Sequence, residues 1–122
     1  MSTPALVVFM SDGVEIAHVY VSGDGYETRM LADWKQFCEA VRVQCKPDTR
    51  FTDAGYLAAK YVFWRAIKDP EWSADRPLKF LGVGIDAPCG DLVDYTYEVA
   101  CDQDALVDHK PVLFCTKRPA SA

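Results

Sequence analysis

The chain has 122 residues, 50% of them hydrophobic and 25% charged, with a formal net charge of −5. That is the make-up of one globular domain, residues 1–122, long enough to build a core without disulfide or metal staples. The acidity is uneven: residues 1–27 and 86–109 together hold eleven acids and no Lys or Arg, which argues against a nucleic-acid-backbone binder and leaves a basic protein partner, a cation or plain solubility.

The start, Met1-Ser2-Thr3-Pro4, carries no positive side chain, and the apolar run Ala5–Met10 is too short for a signal core or a membrane span. Cysteines at 38, 45, 89, 101 and 115 make an odd count with no Cys-x-x-Cys pair. They read as small buried thiols rather than a disulfide framework or a zinc site, so the expected compartment is the cytoplasm and no cofactor is implied.

In chain order, Leu6–Met10 is a short apolar strand. Ser11-Asp12-Gly13 follows as a turn, Asp-Gly being the strongest hairpin signal. Glu15–Ser22 is a second strand with one face Ala17, Val19, Val21 and the other Ile16, His18, Tyr20, Ser22. Asp24 reads as the cap of a helix, with Glu27 at capping-box spacing. Met30, Leu31, Trp34, Phe37, Cys38, Val41 and Cys45 then form one apolar stripe, while Asp33, Lys35, Gln36, Glu39 and Arg42 fall on the solvent side. This helix ends before Pro47.

Thr52 or Asp53 caps a second helix through Lys68, closed by Pro70. Its apolar set is broad (Ala54, Leu57, Ala58, Tyr61, Val62, Trp64, Ile67), and Lys60, Arg65 and Lys68 want water. Residues 69–77 are a Pro- and charge-rich loop. Leu78–Ile85 is nearly all apolar and reads as a central strand covered on both sides; Asp86–Asp91 is a turn. Tyr95, Tyr97 and Val99 alternate with Asp94, Thr96 and Glu98, the clearest strand pattern in the chain, and Val112–Thr116 is the last strand. The order ββααβββ predicts an α+β domain: a mostly antiparallel five-stranded sheet with both helices on one face.

No catalytic motif is present. Gly23-Asp24-Gly25 lacks the spacing and the lysine of a phosphate loop, and the third glycine of a dinucleotide fingerprint. His18 has no nucleophile beside it on its strand. Cys89, in Pro88-Cys89-Gly90, has acidic neighbours that oppose a thiolate. A small polar ligand site, if the chain holds one, falls at His18, Tyr20, Ser22, Asp24 and Tyr26.

The segment Tyr20–Phe37, with the Tyr95-x-Tyr97-Glu98-Val99 strand, resembles small uncharacterised bacterial proteins carried on phage, integron cassettes and other mobile elements, although Glu27 follows Tyr26 where that group carries proline. The resemblance implies an accessory cytoplasmic role and no reaction. The whole reads as a non-catalytic binding protein that self-associates as a homodimer and takes a protein partner or a small polar ligand. Two alternatives stand beside it. One is a ligand-binding protein or small enzyme with a pocket between sheet and helices. The other is an acidic decoy, carried by 86–109, for a nucleic-acid-binding protein.

Overall fold

The computed structural model describes residues 3–46, 51–85 and 93–120. Among them five strands and two α-helices follow one another as β1 (Ala5–Ser11), β2 (Val14–Val21), α1 (Glu27–Gln44), α2 (Ala54–Lys68), β3 (Val83–Gly84), β4 (Tyr95–Ala100) and β5 (Leu113–Lys117). The class is α+β, as the sequence predicts.

The β1–β2 hairpin turns on Asp12 and Gly13, both with positive φ (52° and 73°), as a two-residue hairpin loop with the right-handed strand twist requires. The sheet order is β3-β2-β1-β4-β5. β1 sits at the centre, antiparallel to β2 but parallel to β4, so the sheet is mixed. Hairpin patterning reads neighbours in sequence, and β4 joins β1 from far along the chain.

Strand alternation places Ala5, Val7 and Phe9 on one face with Val19, Val21, Tyr97 and Val99, all of them buried. Both helices pack on that face. Phe9 meets Trp34 of α1 (ring centroids 6.2 Å apart) and Tyr61 of α2 (5.9 Å), and Phe37 meets Tyr61 edge-on at 5.1 Å. Rings that bury large areas at tilted and edge-on geometries form the centre of the core. The Trp34 indole N–H donates to the Pro111 carbonyl (2.9 Å), tying α1 to the segment before β5.

Three expectations about the strands and the start of α1 are overturned. Leu78–Ile85 is not a buried central strand: Val83–Gly84 alone pairs, at the sheet edge against Tyr20 and Val21, and Leu78 is 83% exposed. The apolar run there is interrupted by Gly82 at φ +66° and by turns from Asp69 to Lys79. Nor does Asp24 cap α1. It adopts φ +58° rather than the extended backbone of a cap, Tyr26 occupies the N-cap position without a side-chain bond, and the Glu27 carboxylate instead accepts from Arg118 Nε at 2.7 Å.

Ile16 is the third. A bulge between the Phe9–Ala17 and Met10–Glu15 pairs removes it from the file of His18 and Tyr20 and brings it to the start of α2, beside Gly55. The second helix does begin as predicted: Asp53 Oδ1 accepts the Tyr56 N–H at 3.2 Å. The turn at Asp86–Asp91, with Cys89, lies outside the described residues.

Candidate functional site

α2 carries more apolar side chains than one face can bury. Ala54, Leu57, Ala58 and Tyr61 turn into the core. Tyr56 and Phe63, seven residues apart and so on one side of the helix, point outward at 70% and 67% exposure, with Ile67 beyond them at 39%.

A groove of about 450 Å³ runs between α2 and α1, floored by Phe37, Val41 and Trp64; of its lining residues Lys60 alone is charged. A second groove of about 410 Å³ lies on the other side of α2, against the β2 edge, where Ile16, Val62 and Ile85 meet the bare backbone of Gly55. Ala59 borders both. The two grooves lie on either side of Ala59; Phe63 lines the first, and Glu15 and His18 stand at the border of the second.

The residues singled out in the sequence do not converge. His18 and Tyr20 lie on the helix-free face of the sheet, where His18 and Glu98 flank Val8 on either side and Tyr20 pairs across Leu6. His18 Nδ1 is 3.0 Å from Glu15 Oε2, across the bulge, and the residue also borders the β2-side groove. Tyr26 is exposed at the helix start. The interface between sheet and helices is filled by the aromatic core. Ser22 and Asp24 are the two that come together: with Gly23 they form one wall of a small polar cavity of about 110 Å³ at the end of β2.

The opposite wall of that cavity is a charge cluster that periodicity conceals. Asp33, expected on the solvent side of α1, is 3% exposed. It follows Met30 by three residues and precedes Phe37 by four, which places it in the buried stripe. Its Oδ2 accepts from Arg65 Nη1 (2.6 Å), and its Oδ1 from Lys68 Nζ (2.8 Å) and Arg29 Nε (3.4 Å). Arg65, expected in water, is correspondingly 11% exposed along its side chain. Burial on its own would raise the Asp33 pKa; the hydrogen bond from Lys68 and the charges of Arg65 and Arg29 outweigh it and hold the carboxyl below its ordinary value. Lys68 also sits 4.8 Å from the Trp64 ring centroid, a cation–π contact.

The two buried thiols are not activated. Burial pushes Cys38 up to about 12 and Cys101 up to about 11, which keeps both protonated and inert at neutral pH. Among the described residues no group of three or more His, Cys, Asp or Glu side chains is placed to hold a metal ion, and no helix is long and apolar enough to cross a membrane.

The features that sequence reasoning passed over were readable in part. Tyr56 and Phe63 share a helix side with Lys60, so their spacing already sets them apart from the Leu57–Tyr61 core stripe. Asp33 had an arginine four residues before it, and α2 offered Arg65 and Lys68 at adjacent turns. What no pattern shows is that the two helices bring these together. Comparison with protein-family models, with curated proteins and with solved structures gives no match.

Proposed function

We propose that this protein is a non-catalytic binding module that acts as a homodimer, each copy docking the outer face of α2 against the same face of the other. One observation carries the reading: the apolar surface made by Tyr56, Phe63 and Ile67 with a groove on each side.

The surface suits a second copy of itself. A two-fold axis beside Ala59, with the helices antiparallel, sets Phe63 opposite the partner's Gly55, where no side chain stands, and each ridge meets the other copy's groove. Such a patch is self-complementary, as an isologous interface requires. The area is also adequate. Tyr56, Phe63, Ile67, Ile16 and Ile85, at 70%, 67%, 39%, 50% and 76% exposure, offer on the order of 550 Å² of apolar side-chain surface. A standard interface buries about 800 Å² per partner, rather more than half of it apolar. The accessory role is the one that the resemblance to small proteins of mobile elements implies.

Light scattering coupled to size exclusion tests it. The wild type elutes at twice the 13.6 kDa of one chain, and Phe63→Glu elutes at the monomer mass with unchanged circular dichroism, because Phe63 is outside the core. A wild type that stays monomeric at high concentration, or a Phe63→Glu protein that stays dimeric, overturns the reading.

A further inference from the structure

The polar cavity at the end of β2 has its own chemistry, independent of the α2 docking surface. We propose that it binds a small zwitterion, a molecule of amino-acid size carrying one carboxylate and one ammonium group.

One buried carboxylate, Asp33, is met by three cations, Arg29, Arg65 and Lys68, and all four border the cavity. One cation neutralises it. Arg65 spends one of its five N–H donors on Asp33, and Lys68 one of its three. The remaining donors belong to groups held in place by the Asp33 anchor, so an incoming carboxylate finds them already positioned.

The other side of the cavity has the opposite sign. Asp24 and Asp69 line it. Asp24 is held loosely: its Oδ2 is 3.7 Å from Arg29 Nη1, and its side chain is 56% exposed. Asp69 uses Oδ1 to accept the Glu71 N–H, and its Oδ2 lies beside Gly82, whose missing side chain leaves room. A simple anion entering here meets three carboxylates, Asp24, Asp33 and Asp69, and a simple cation meets three positive groups. A molecule with both charges meets complementary partners for each.

The cavity, about 110 Å³, is somewhat smaller than the roughly 150 Å³ void that accepts benzene and has room for a group of the size of glycine or alanine.

The test is a titration of uniformly ¹⁵N-labelled protein with glycine and with alanine at neutral pH, following the Arg29 and Arg65 Nε–H resonances. Acetate, methylammonium and inorganic phosphate serve as single-charge probes. The expected result is a saturable shift of both arginines with at least one zwitterion, and at least tenfold weaker binding of every single-charge probe. Arg29→Gln and Asp24→Asn, both at half-exposed positions that leave Asp33 with Arg65 and Lys68, each weaken zwitterion binding at least tenfold while melting near the wild-type temperature. Absence of saturation with either amino acid overturns the proposal. Acetate or phosphate binding as tightly as the zwitterion also overturns it, making the cavity a plain anion site. Repeating the titration on Phe63→Glu separates the two proposals: binding that survives in the monomer stands whatever becomes of the dimer.

Discussion

Replacing Gly25 with Ala tests the contact on which the start of α1 hangs. A Cβ built on Gly25 stands 2.6 Å from the Ala5 Cβ, 2.6 Å from the Thr3 carbonyl oxygen and 3.1 Å from the Ala5 nitrogen. None of the three can swing aside: two are backbone, and the third is a methyl on the central strand. The loop must retreat from β1. That stretches the Gly25 N–H bond to Thr3 (2.7 Å) and the bond that the Tyr97 hydroxyl donates to the Gly25 carbonyl (2.6 Å).

Forcing a methyl into a filled site costs about 1–3 kcal/mol, and weakening a buried hydrogen bond about 1 kcal/mol more, so Gly25→Ala loses about 3 kcal/mol. In a domain of this length that lowers Tm by roughly 12 °C. Gly13→Ala is the control. Its φ is +73° and nothing lies within 4 Å of the added carbon, so it pays backbone strain alone, about 1 kcal/mol. The assay is urea unfolding followed by tryptophan fluorescence, with calorimetry beside it. If Gly25→Ala is no more destabilising than Gly13→Ala, close backbone approach is not why glycine stands there.

Asp33→Asn leaves Arg65 and Lys68 facing a neutral amide and costs about 3 kcal/mol at neutral pH, read by the same unfolding assay. The Asp33 carboxyl is depressed in the folded state, so its stabilisation is complete above the unfolded value, near 3.8, and is lost as pH falls through the lower folded value. The wild type therefore loses its advantage over Asp33→Asn on acidification, and an advantage that persists to the lowest pH at which both fold refutes the assignment. Alkylation of the native protein at neutral pH, mapped by mass spectrometry, leaves Cys38 and Cys101 unmodified; labelling of either at the rate of the unfolded chain shows that it is not buried as described.

Legibility followed the range of the interactions. The β1–β2 hairpin was written locally, because Asp12-Gly13 supplies the two positive φ values that a short turn needs. The Asp53 cap and the bulk of both core stripes were legible for the same reason, since period and cap chemistry act within a few residues. The central-strand reading of Leu78–Ile85 failed because hydrophobicity reports a wish to be buried, not an available partner. Val83 and Gly84 find β2; Leu78 and Ile85 find solvent. The proposed site residues failed to converge because His18 and Tyr20 alternate onto the helix-free face of the sheet and the left-handed Asp24 redirects the chain between Ser22 and Tyr26.

By itself the sequence determined an α+β chain with an acidic surface, two amphipathic helices and a tight first hairpin, because each of these depends on neighbours along the chain. Tertiary structure alone decided that β4 lies parallel to β1, that Asp33 is buried against cations from the next helix, and that Gly25 presses on β1. It also decided that the outer side of α2 stays uncovered. Each of these depends on groups far apart in sequence meeting in space, and residue spacing carries no record of such meetings.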